Sequence, residues 1–126
     1  MRWIVDGMNV IGTRPDGWWR DRHAAMVHLV DVLERWAAVD GDDVTVVFEQ
    51  PPRPPIPSSV VEVAHARRPR PNSADDEIVR RVKAEPDPSR VRVVTSDNVL
   101  SQQVSAAGAS VYPSATFRAE IDPERS

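Results

Sequence analysis

Three short apolar runs in this chain each stop on an acidic exit. Trp3-Ile4-Val5 gives way to Asp6-Gly7, with Asn9 close behind. Val44-Thr45-Val46-Val47-Phe48 gives way to Glu49, and Val91-Arg92-Val93-Val94-Thr95 gives way to Ser96-Asp97-Asn98. Runs of this length, rich in β-branched and aromatic residues, read as buried strands. Helical periodicity fills much of the sequence between them, and strands alternating with helices predict a parallel α/β sheet covered on both faces. Taken alone, Asp6 before Gly7 is a turn-former. Repetition of the same polar exit later in the chain is what points to function, because ligands of open α/β sheets bind at the carboxyl ends of the strands.

The remaining elements complete that frame. Residues 21–38 carry an apolar stripe, Met26, Leu29, Val30, Leu33, Trp36 and Ala37, with Asp21 as N-cap and Asp40-Gly41-Asp42 as the stop. Val60, Val61, Val63 and Ala64 suggest a third strand, and Ala109-Ser110-Val111-Tyr112 a fifth. A second helix is expected from about Ala74 to Glu85, capped by Asn72 or Ser73, with Ile78, Val79 and Val82 facing inward. Asp75, Asp76 and Glu77 stand in its first turn, where the helix dipole favours negative charge. Another helix runs from Asn98 to about Ala107 and stops at Gly108. Pro113-Ser114 opens a last helical turn through Phe117 and Ile121. The expected fold is a three-layer α/β sandwich with a mainly parallel five-stranded sheet. It forms one domain over residues 1–126, with a frayed polar tail from about 121. The simplest doubly wound order sets the first strand beside the fourth.

Three loops have two readings each. Trp18 and Trp19, in the loop over residues 12–20, can cover the core or stack nucleobases at the rim of a site. The proline-rich stretch 51–57 cannot be helix, and reads as a stiff linker or as a ligand for a proline-recognising domain. His65-Ala66-Arg67-Arg68-Pro69-Arg70-Pro71 is a basic loop that can hold phosphates or be merely solvated. His23 and His28 lie five apart on one helix, so they do not share a face and are no metal pair.

Bulk properties narrow the function classes. There is no cysteine, so neither disulfides nor thiolate metal sites are available. The formal charge of -3 gives no global basic field for nucleic acid. No apolar run approaches the roughly 18 residues of a membrane span, and no signal peptide precedes the first strand. A soluble, cytoplasmic protein without a membrane partner is expected.

With strands one and four adjacent, Asp6 and Asp97 leave the sheet side by side. Asp75 and Asp76 begin a helix at the same edge, and Glu49 lies one strand further out. Carboxylates that converge in one crevice cannot all stay ionised unless cations neutralise them. An all-oxygen donor set suits Mg²⁺ or Mn²⁺, and such an ion suits phosphoryl chemistry. Competing phosphate machinery is missing: there is no Gly-Lys-Ser/Thr loop, no Gly-x-Gly-x-x-Gly, and no second Asp two residues after Asp6.

Ile4-Val5-Asp6-Gly7-Met8-Asn9-Val10-Ile11, Val46-Val47-Phe48-Glu49, Ser73-Ala74-Asp75-Asp76-Glu77-Ile78, Val93-Val94-Thr95-Ser96-Asp97 and Gly108-Ala109, in that order, resemble the NYN domain. More narrowly they are similar to its YacP-like branch among PIN-like ribonucleases, over residues 2 to about 120. The resemblance implies a PIN-like parallel α/β sandwich and a Mg²⁺- or Mn²⁺-dependent endoribonuclease acting on single-stranded or structured RNA. It implies Asp6, Asp75 and Asp97 as the acidic core, with Asp76 sharing the role of Asp75. Asn9 and Ser96 would support them through hydrogen bonds to ligands or metal-bound water. Arg67, Arg68, Arg70 and Arg14 would hold the RNA backbone. Glu49 stands where the family often has Asp. It keeps the charge but reaches one methylene further, which leaves open whether it would meet the ion directly or through water. The alternative is an inactive RNA-binding or protein-interaction module on the same fold. A metal phosphohydrolase acting on DNA flaps or small nucleotides is a third possibility.

Overall fold

A computed structural model describes residues 1–68, 70 and 73–123. Its strands are β1 (Arg2–Asp6), β2 (Asp43–Phe48), β3 (Val61–His65), β4 (Val91–Val94) and β5 (Ser110–Tyr112). The helices are α1 (Gly7–Ile11), α2 (Arg22–Asp40), α3 (Ser73–Ala84), α4 (Asn98–Ala106) and α5 (Ser114–Ile121), with 3₁₀ turns at Trp18–Arg20 and Pro88–Arg90. The sheet order is β3-β2-β1-β4-β5, and every pairing is parallel. β1 is therefore central, with β4 on one side and β2 on the other, as the doubly wound order requires. Ile4 registers with Thr45 of β2 and Val93 of β4.

Period-two alternation sorts the core into two layers. Trp3 and Val5 of β1, with Val44, Val46 and Phe48 of β2, pack against Val10 and Ile11 of α1, Leu29, Val30 and Leu33 of α2, and Phe117 of α5. Ile4, Val47 and Val93 point the other way, onto Ile78 and Val82 of α3 and Leu100 and Val104 of α4. The next residue in the Ile4 register is Asp6. Alternation alone thus sends its side chain to the face covered by α3 and α4, the two helices that carry Asp75 and Asp97 at their starts.

α1 is the element the sequence conceals, since Asp6-Gly7 reads as a turn. It forms because two other parts of the chain support it. A Cβ on Gly7 would sit 2.5 Å from Phe48 Cε1, so only glycine lets the helix start immediately beside β2. At its other end the buried Arg118, 6% exposed, donates from Nη1 to the carbonyls of Ile11 (2.8 Å) and Val10 (3.3 Å). These are orphan groups of a helix C-terminus, where a cation is favoured by the dipole.

Asp21 caps α2 as expected, accepting from Ala24 N at 3.0 Å, and Gly41 ends that helix in the left-handed region at φ +71°. The proline loop is anchored to α2, with the His23 ring nitrogen 2.8 Å from Pro54 O and Ile56 packed on the core. Asp122, within the stretch expected to fray, hydrogen-bonds to His28 at 2.8 Å. Asn72, one proposed cap of α3, and residues 124–126 of the tail lie outside the described residues, as do Pro69 and Pro71 of the basic loop.

Candidate active site

Asp6 ends the central strand and is only 6% exposed. Its Oδ2 accepts a hydrogen bond from the Thr95 hydroxyl at 2.9 Å. The same hydroxyl oxygen accepts the Asp97 backbone N–H at 3.2 Å, which directs its own proton toward Asp6. Asp97 is the N-cap of α4, with Oδ1 accepting from Leu100 N at 2.8 Å. One carboxylate oxygen thus fixes the helix start while Oδ2 is not needed by the cap.

A second group of bonds holds the adjoining backbone. Asn9 Oδ1 accepts from Ser96 N at 3.0 Å and from the Ser114 hydroxyl at 2.6 Å, and Ser114 N donates to Ser96 Oγ at 3.0 Å. Asn9 and Ser96 therefore knit together α1, the β4–α4 junction and the start of α5. Sequence reasoning missed Thr95 and Ser114, because hydroxyl residues at strand and helix ends carry no signal that separates a cap from a site.

The acids divide by environment. Burial, first of all, pushes the Asp6 carboxyl up to about 7. The Thr95 bond opposes that rise, and the charges of Asp75, Asp97 and Glu49 add to it. Asp75, half-buried in the first turn of α3, is pushed up to about 6 by burial and then by Asp97, Asp76 and Glu49. The charges of Asp97 and Glu49 thus bear on both Asp6 and Asp75 at one edge of the sheet. Yet among the described residues no three His, Cys, Asp or Glu side chains gather tightly enough to hold a metal ion. The two observations describe different ranges: repulsion is felt across the crevice, whereas coordination needs a shared centre.

Asp76 and Glu77 have arginine partners of their own. Asp76 is exposed and pairs with Arg70 at 3.3 Å. Glu77 is 5% exposed and accepts from Arg80 and from Arg81 Nε, the latter at 2.7 Å. Those bonds, Arg80 first, hold its carboxyl below the usual range. The run of three acids is therefore one buried ion-pair residue, one exposed residue and one member of the acidic edge.

Exposed Arg67, Arg68 and Arg70 line a hollow at the start of α3 with Arg80 and Asp76. Arg14 lies elsewhere: Nη2 donates to Asp122 O at 2.5 Å, with the Asp122 carboxylate 3.6 Å from Nη1. The structure brings it to the end of α5. Among the described residues, no helix is long and apolar enough to cross a membrane.

The fold has solved counterparts. Crystal structures of Rae1 (YacP) from Bacillus subtilis superpose with TM-scores of 0.82 and, for a W164L mutant, 0.80. Each is 22% identical to this chain, and the match covers 97% of this chain and 74% of the other. No curated protein gives a significant sequence match. The family model of the YacP-like NYN domain matches residues 3–126. A central parallel strand ending in a buried aspartate, flanked by two helix starts that bear aspartates, is thus carried by a chain that belongs to the YacP-like NYN domain family, a PIN-like nuclease fold.

Proposed function

We propose that this chain is a metal-dependent endoribonuclease that hydrolyses RNA phosphodiester bonds at the carboxyl edge of its sheet. The observation that carries the proposal is the burial of Asp6 at the end of the central strand, with the charges of Asp75, Asp97 and Glu49 bearing on it. A site that raises carboxylate proton affinity in this way is suited to a cation. The donor set is all oxygen, which fits Mg²⁺ or Mn²⁺. Asp6, Asp75 and Asp97 would hold the ion, with Glu49 meeting it directly or through water. When bound, such an ion lowers the pKa of water and stabilises charge on a phosphate.

The chain's own residues do the rest. Thr95 fixes the rotamer of Asp6, and the α4 cap fixes Asp97. Asn9, Ser96 and Ser114 hold the three backbone segments that frame the crevice. Arg67, Arg68 and Arg70 would engage RNA phosphates beside Asp75, orienting the chain so that water can attack the phosphorus in line with the departing ribose oxygen. Asp76 would tune the site through its charge on Asp75 and its pairing with Arg70.

One observation favours a second reading, an RNA-binding module without catalysis: among the described residues, no three carboxylates gather around a shared centre. Cleavage of single-stranded RNA and DNA, assayed side by side with Mg²⁺ and Mn²⁺, separates the two. Metal-dependent cutting that is lost on Asp97→Asn supports the enzyme. Binding of RNA without cutting at any divalent concentration returns the module.

A further inference from the structure

An open pocket of about 280 Å³ lies beside the acidic edge, on the opposite face of the sheet from Asp75 and Asp97. Met8, Met26, Phe48 and Pro52 wall it, and Arg22 and Glu49 are among its polar lining. The pocket shares one residue, Glu49, with the acidic edge. Met8 is two residues beyond Asp6, and Glu49, which borders the pocket, is also one of the charges acting on Asp6 and Asp75. Its size is near the lower limit of ligand clefts, enough for one flat ring system. Two thioethers and a proline, backed by the buried Phe48, offer polarizable, apolar faces to such a ring.

What lies outside the rim favours a nucleic-acid occupant. The Arg22 guanidinium stands 5.4 Å from the centroid of the Trp18 ring. Trp18 meets Trp19 edge-on at 5.8 Å, and Arg20 stands 5.9 Å from the Trp19 centroid. Trp19 is 50% exposed, an unusual position for a ring not required by the core. Arg53 adds a further cation to the lining. Two adjoining indoles bracketed by guanidinium groups, leading from a small apolar pocket, match the way single-stranded nucleic acid is held, with bases on aromatic and arginine faces and phosphates on cations.

We propose that this pocket is a nucleobase subsite: it takes one unpaired base of single-stranded RNA, flanking the phosphate presented to the acidic edge, while the Trp18–Trp19 step supports the neighbouring base. The inference rests on RNA as the substrate class, but its test does not depend on cleavage. Binding of a labelled single-stranded RNA to the full chain is measured by fluorescence anisotropy in EDTA, with an abasic ribose placed at each position in turn. One position is expected to lose about tenfold in affinity when its base is removed. That loss should disappear in Met26→Trp, which fills the pocket. Arg22→Ala, an exposed change at the start of α2, should weaken binding of intact RNA severalfold and leave the abasic RNA unaffected. Equal tolerance of every abasic position, absence of RNA binding, or a penalty that persists in both variants overturns the subsite. If no nucleic acid is cut under any metal condition yet the position-specific penalty is seen and is lost on filling the pocket, the subsite stands and the nuclease assignment alone fails.

Discussion

The Thr95 hydroxyl and the Asp6 carboxylate, 89 positions apart in sequence, meet at 2.9 Å across the two central strands. This bond is the one polar partner that lowers the proton affinity of Asp6 against burial and three neighbouring acids. Thr95→Val removes it, and also removes the acceptor for Asp97 N–H. The expected cost is about 1–3 kcal/mol in denaturant unfolding, with Thr95→Ser largely restoring stability and activity.

Asp6 makes stability depend on pH in a definite direction. Its folded-state value of about 7 lies above the ordinary 3.8, so between those limits the folded state binds a proton that the unfolded chain lacks. Stability from this group is greatest at low pH and falls as pH rises through about 7. Asp75 adds the same sign up to about 6. Asp6→Asn should therefore raise stability by up to about 4 kcal/mol at pH 7.5 and by almost nothing at pH 4. Thermal unfolding of both proteins across that range in EDTA checks this, and a gain independent of pH would refute it.

Asp97 has two duties that substitutions can separate. Asparagine caps a helix about as well as aspartate, so Asp97→Asn should stay within about 0.5 kcal/mol of the parent, or slightly above it, while abolishing RNA cleavage. Asp97→Ala should lose activity and about 1 kcal/mol as well. Retained cleavage in the asparagine variant would remove Asp97 from the acidic core.

The arginine loop is tested by salt. Converting Arg67, Arg68 and Arg70 to Ala should weaken RNA binding and reduce the slope of log affinity against log salt by up to about 2, from roughly 0.7 per phosphate neutralised. An unchanged slope would make the loop a solvated surface, with Arg70 serving only Asp76.

Gly7→Ala should destabilise by about 1–3 kcal/mol, because the new methyl must displace the fully buried Phe48 ring. A neutral result in chemical denaturation would show that α1 can shift without cost.

The strands and their acidic exits were legible because alternation and burial leave a period in the sequence. The same period aims Asp6 at α3 and α4. Roles set by distant partners were not legible. Asp75, Asp76 and Glu77 look alike in sequence, and only Arg70, Arg80 and Arg81 distinguish them in space. Arg14 is expected among the RNA-backbone contacts, and its partner Asp122 comes from the other end of the chain. α1 is too short for periodicity to register, and its formation depends on Phe48 leaving room and on Arg118 reaching its last carbonyls.

That reach of Arg118 has a consequence for biosynthesis. A chain emerging from its N-terminus makes Asp6 and Asn9 first, but the guanidinium that secures their helix, and the Ser114 hydroxyl that holds Asn9, arrive more than 100 residues later. Until α5 docks, the crevice lacks these bonds, so a nascent or truncated chain carries every acid of the proposed site without the frame that holds them.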